Sequence, residues 1–151
     1  MSQISDEQLL AMAYHITENS YVPYSGFPVG AALLLDDGTV VTGCNVENAS
    51  YGLTMCAERN AVFRMVAEYG PNHKIEACAI VGRKAAPCHP CGACRQVLHE
   101  FGCKRVIVES ERPEVVGGSA VAENGGTVTL GAPTSIDFDK ILPYAFGPED
   151  L

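Results

Sequence analysis

The chain has 151 residues, 47% of them apolar and 19% charged, and carries a net charge of −8 from 10 basic and 18 acidic side chains. A single domain of this size can bury roughly 70% of its unfolded surface, so it needs no metal to build a core. The acidity argues against a polynucleotide partner, whose phosphates call for clustered lysine and arginine, and no apolar run approaches the roughly 20 residues that span a bilayer. Neither nucleic acid nor membrane is expected.

In chain order, "SDEQLLAMAYHITENS" begins with Ser5 and has Gln8 three residues later, a capping box, with Leu9, Ala13 and Ile16 at helical spacing; a helix is predicted over 6–18. "YVPYSGFPVG" has two prolines and two glycines, which predicts a shaped loop leading to a strand from about Val29. Asp37-Gly38 between β-rich runs predicts a hairpin. "CAERNAVFRMVAEY" sets Ala57, Ala61, Met65 and Glu68 on one stripe with Val62 and Val66 beside it, a helix stopped by Gly70-Pro71.

"IEACAIVGR" reads as a buried strand, "CGACRQVLHEFG" as a helix ending at a glycine, and "RVIVES" as a strand. Residues 111–135 are expected to form a long loop broken by a strand at "TVTL", followed by a short helix near "DFDKILP" and an irregular tail. Alternating strands and helices after the hairpin give an α/β class: a mixed sheet with helices on both faces, one domain over 1–151.

Seven cysteines are an odd number, and "MSQISDEQLL" lacks the basic start and apolar core of a signal peptide, so reduced thiols and a cytoplasmic location are expected. Cys91 and Cys94 open one predicted helix and Cys56 another. Helix N-termini lower a thiol's pKa and favour metal ligation. Three protein ligands would leave a zinc position open for water, whereas a fourth would close it. Cys88 is the available fourth, and Pro90 extends the chain ahead of Cys91 and tends to carry Cys88 away. A redox pair is the poorer reading, because this C-x-x-C follows a late strand. Cys44, Cys78 and Cys103 read as small buried apolar residues. Glu58, two residues after Cys56, is placed to move the proton of a metal-bound water, although a lone first-turn glutamate is more often a dipole-complementing surface residue.

"CAERNA" with "PCGACRQVL" resembles the homotetrameric cytidine deaminases, and "YVPYSGFPVGAALL", "GCNVENASYGL" and "LPYAFGPEDL" extend the likeness over nearly the whole chain except 111–135. The resemblance implies a three-layer α/β/α sandwich and one zinc per subunit on Cys56, Cys91 and Cys94, with water as fourth ligand. Glu58 would shuttle protons, as in zinc deaminases generally. Cytidine and deoxycytidine would become uridine and deoxyuridine with release of ammonia, a pyrimidine salvage activity. Arg59 would hydrogen-bond to ligand sulfurs and offset their charge; Arg95 could do the same or be a plain surface or subunit-contact residue.

By the same resemblance Asn45 and Glu47 would bind ribose hydroxyls and Phe27 would pack on the pyrimidine. Tyr51 and Phe146 would enter a neighbouring subunit's site, implying a homotetramer with shared sites. Asn60 stands where threonine is frequent, "APCHPC" adds Cys88 and His89, and 111–135 is long. Three other functions compete: a deaminase of a nucleoside-like antibiotic such as blasticidin S, a polynucleotide deaminase, and a structural zinc module closed by Cys88.

Overall fold

The computed structural model describes residues 3–112 and 129–151. Helix α1 (Asp6–Ile16) starts as the sequence predicts: the Ser5 hydroxyl accepts from the Gln8 N–H at 3.1 Å and the Ser5 N–H donates to Gln8 Oε1 at 2.9 Å. Its last turn tightens into a 3-10 turn over Thr17–Asn19, so the α-helix ends two residues before the expected 18. Strands β1 (Val29–Leu35) and β2 (Val40–Cys44) form the antiparallel hairpin, turned at Gly38, whose N–H donates to the Leu35 carbonyl at 3.0 Å.

Helix α2 (Ala57–Tyr69) buries Ala57, Ala61, Val62 and Met65, while Glu68 turns outward to Arg64 at 2.9 Å. Strand β3 (Ile75–Gly82) runs antiparallel to β1, crosses over through α3 (Gly92–Glu100), and continues parallel in β4 (Arg105–Glu109). The sheet order is β2-β1-β3-β4-β5, a mixed sheet as expected.

Strand β5 (Pro133–Asp137) corrects the sequence reading, which left those residues to the long loop and the short helix. It pairs antiparallel with β4 at the sheet edge. Pro133 is its first residue and Thr134, Ser135 and Asp137 are exposed, so it lacks the apolar alternation that marks a strand; an edge tolerates both features. Of the expected "TVTL" strand, Thr127 and Val128 lie outside the described residues, and Thr129 and Leu130 belong to no strand. The short helix is present as α4 (Phe138–Ile141).

Side chains alternate across the sheet. Leu33, Val106 and Val108 join Ala61, Val62, Met65 and Leu98 in one apolar cluster, which is the α2 and α3 layer. Ala32, Leu34, Ala77, Ala79 and Ile107 join Leu9, Leu10 and Ala13 of α1 on the other face. Both faces are covered, which is why "VGAALLL" is apolar throughout and "IEACAIVG" is apolar except for Glu76 near its start. The helix layer above β2 sits very close: a Cβ on Gly43 would stand 2.4 Å from the Ala61 backbone nitrogen and 2.7 Å from the Ala57 carbonyl. That approach sets the height of the first turn of α2 over the sheet.

Candidate metal centre

Cys56 is the N-cap of α2 and Cys91 the N-cap of α3, both with extended backbone and neither sulfur capping a backbone N–H of its own helix. Cys94 follows one turn into α3. The two helix starts meet, so the three sulfurs lie within 4.8 Å of one another, with Cys56 Sγ and Cys91 Sγ 3.8 Å apart. Cys91 is exposed, Cys56 half-buried and Cys94 buried, so the cluster opens outward on the Cys91 side.

Glu58, in the first turn of α2, is only 4% exposed, and the Cys94 thiol donates to its Oε2 at 3.3 Å. Burial raises the Glu58 carboxyl above its ordinary value. Arg59 Nη2 donates to Cys56 Sγ at 3.1 Å. Hydrogen bonding to Cys94 and to Arg59 brings Cys56 down to about 5, whereas hydrogen bonding with the Cys56 thiolate, and then burial, push Cys94 up. The polar environment therefore favours the thiolate at Cys56 over the one at Cys94.

Cys88 stands elsewhere. Its sulfur lies against Gly82, 3.0 Å from where a Cβ on that glycine would be, and burial pushes its thiol up to about 12. His89 is exposed. Arg95 does not serve the sulfurs: its Nε donates to the Pro90 carbonyl at 2.8 Å and its Nη1 to the Ile141 carbonyl at 2.7 Å, tying the chain ahead of Cys91 to the end of α4. Asn60 Nδ2 donates to the Cys44 carbonyl at 2.8 Å, which locks α2 to the end of β2.

Asn45 and Glu47 are both engaged with the 21–29 loop. Asn45 Nδ2 donates to the Phe27 carbonyl at 2.9 Å and its Oδ1 accepts from the Val29 N–H at 3.0 Å. Glu47 Oε1 accepts from the Tyr24 and Ser25 N–H groups at 3.0 and 3.1 Å, and hydrogen bonding with Ser25 lowers its pKa. Each still has capacity left, one N–H on the amide and a second oxygen on the carboxylate. A cavity of about 380 Å³ is lined by Tyr24, Ser25, Glu47, Tyr51 and Thr54. Phe27 is half-buried, while Tyr51 and Phe146 are 75% and 61% exposed. Asn45 thus bonds the Phe27 backbone directly and Glu47 holds the adjacent Tyr24–Ser25 backbone, while Tyr51 and Phe146 project from the surface.

Three thiols gathered at two helix starts, with a buried carboxylate against one of them, suit a soft divalent ion held by three protein ligands with a coordination position to spare. On an α/β sheet that combination defines a zinc-dependent hydrolytic enzyme. Residues 3–110 match the family described as "Cytidine and deoxycytidylate deaminase zinc-binding region", and the chain belongs to that family. It is 52% identical over 147 residues to a cytidine deaminase of Sporosarcina psychrophila, covering 96% of this chain and 93% of that one. It is 39% identical over 152 residues to the cytidine deaminase of Mycobacterium tuberculosis strain H37Rv, covering 100% and 96%. Its fold is similar to the crystal structure of cytidine deaminase from Burkholderia pseudomallei, with a TM-score of 0.74 and 39% identity over 95% of this chain and 100% of that one.

Proposed function

We propose that this protein hydrolyses cytidine and deoxycytidine to uridine and deoxyuridine. The observation that carries the reading is the buried Glu58 carboxylate, 3.3 Å from one of three sulfurs that lie within 4.8 Å of each other. Zinc held by Cys56, Cys91 and Cys94 would supply Lewis acidity that makes water a nucleophile near neutral pH.

The rest is done by the chain's own residues. Glu58, its carboxyl raised by burial, is suited to take a proton from water, pass it to the ring nitrogen beside the reacting carbon, and return one to the departing amine. The water oxygen joins the ring carbon that carries the amino group, that carbon–nitrogen bond breaks, and ammonia leaves. Arg59 steadies Cys56 and offsets the negative charge of three thiolates. Phe27 would face the pyrimidine, and the free capacity of Asn45 and Glu47 would take ribose hydroxyls. That sugar grip favours ordinary nucleosides over an antibiotic substrate.

The chain is read as one domain over 1–151, because both apolar clusters pack on the same sheet. Tyr51, Leu53, Tyr144 and Phe146 are large and exposed, which supports assembly through those faces. We read the assembly as a homotetramer in which Tyr51 and Phe146 complete a neighbour's site. All seven cysteines are free, which supports a reducing, cytoplasmic setting. No described helix is long and apolar enough to cross a membrane.

The test is ultraviolet absorbance of zinc-loaded protein with cytidine, with deoxycytidine and blasticidin S alongside, and sedimentation of the same sample. Loss of the cytidine band by a tetramer is expected. Conversion of blasticidin S alone would overturn the substrate assignment, and full activity in a monomer would overturn the shared site.

A further inference from the structure

Beside the carboxyl end of β4 the chain buries an ion pair to which neither the metal centre nor the nucleoside reading gives a role. Glu109 is 1% and Arg112 is 0% exposed. Arg112 donates to both carboxylate oxygens, through Nε to Oε2 at 3.1 Å and through Nη2 to Oε1. The same Nη2 donates to the Gly82 carbonyl at 3.0 Å, and the Gly131 N–H donates to Glu109 Oε2 at 2.8 Å. The Tyr14 ring of α1 lies 5.9 Å from the Arg112 guanidinium carbon and 4.9 Å from that of Arg83.

A pair so fully withdrawn from water is a poor device for stability, because two well-packed apolar side chains often serve as well or better. An apolar pair cannot, however, hold a peptide carbonyl. The guanidinium fork divides its donors between the carboxylate that anchors it and the Gly82 oxygen. Gly82 is where that hold matters. It is the last residue of β3, paired with Val29 across β1, and a Cβ there would stand 3.1 Å from Phe27 Cε1 and 3.0 Å from Cys88 Sγ. The ring of Phe27 therefore rests directly on the Gly82 backbone. The chain leaving Gly82 leads through Cys88 to the ligand Cys91.

We infer that Glu109 and Arg112 are positioning residues for the nucleoside base: by fixing the Gly82 carbonyl they set the shelf on which the Phe27 ring lies. This rests on the deaminase reading and adds to it two residues that touch neither metal nor substrate.

The test uses the zinc-loaded full chain and four proteins: wild type, the Glu109→Leu/Arg112→Leu double variant, Phe27→Ala, and the triple variant. Removing both ions together leaves no unpaired buried charge, so the double variant is expected to fold. Its KM for cytidine and its inhibition constant for uridine should each rise by about tenfold, the scale of a displaced contact wall, with kcat and zinc content unchanged. In the triple variant KM should be no higher than in Phe27→Ala alone, because both changes remove the same shelf contact. A merely structural pair would lower thermal stability and act additively with Phe27→Ala.

Wild-type KM in the double variant, or full additivity in the triple, overturns the inference. If the double variant does not fold, Arg112→Lys, which keeps the charge and loses the fork, takes its place in both comparisons. Wild-type protein that leaves cytidine unconverted refutes the deaminase reading, and this inference falls with it; active wild type with an unaltered variant refutes this inference alone.

Discussion

Glutamine at position 58 would keep the volume of the buried glutamate and an oxygen to accept from Cys94, and would remove its capacity to take up and release a proton. Glu58 is 4% exposed and its carboxyl is raised by burial, so proton transfer is the role that the change deletes. A positioned general acid–base group contributes about 10²- to 10⁴-fold, or about 2.7–5.4 kcal/mol of barrier, and kcat for cytidine should fall by that factor. Stability should move the other way or not at all, since burying a neutral amide costs less than burying a carboxylate. The assay pairs turnover, measured by loss of cytidine absorbance, with zinc content and thermal midpoint on one preparation. A fully zinc-loaded Glu58→Gln protein that keeps turnover within about tenfold of wild type would refute the proton-transfer role.

Cys56→Ser should lose bound zinc in metal analysis after dialysis, while Cys88→Ser should retain it; zinc loss in the second would restore the closed four-cysteine site. In metal-free protein the ultraviolet thiolate signal should include a group titrating at about 5, and Arg59→Met should raise that midpoint, with the Cys94 hydrogen bond still holding it below the ordinary thiol value. Because the folded pKa is depressed, the stability from this ionisation is complete above 9.0 and is lost as pH falls through about 5. An unchanged midpoint in the Arg59 variant would show that the guanidinium does not hold the thiolate. Gly43→Ala should lower stability by about 1–3 kcal/mol in chemical denaturation, since its Cβ would meet the Ala61 nitrogen at 2.4 Å and a backbone cannot rotate away. A neutral result would show that α2 can lift from β2 freely.

The elements with strong local signals were readable from the residues. Ser5 and Gln8 announce α1, Gly70 closes α2, and long apolar runs mark strands buried on both faces. The cysteine set was readable because ligands at helix starts carry a spacing. Strand β5 was not, since its pairing comes from β4 and leaves no period of its own. Arg95 reads in the sequence as either a sulfur donor or a plain surface or subunit-contact residue, and its fork points instead to the Pro90 and Ile141 carbonyls, partners that only the fold brings near. Glu109 and Arg112 offered just one clue, opposite charges three apart at a strand end, a pattern more common on surfaces than in cores. Asn45 and Glu47 were read as sugar ligands, and what the structure shows of each is a hold on the loop that carries Phe27.

Cys56 and Cys91 stand where helices ordinarily begin with serine, threonine, aspartate or asparagine, and neither sulfur caps a backbone N–H of its helix. An engineer ranking positions by helix-start preference would nominate both for replacement, expecting about 1 kcal/mol from each new cap. Both replacements would delete a sulfur. These two uncapped helix starts are thus the positions at which thermostabilising substitutions drawn from general preferences would remove the proposed metal ligands, and a stabilised variant should leave them alone.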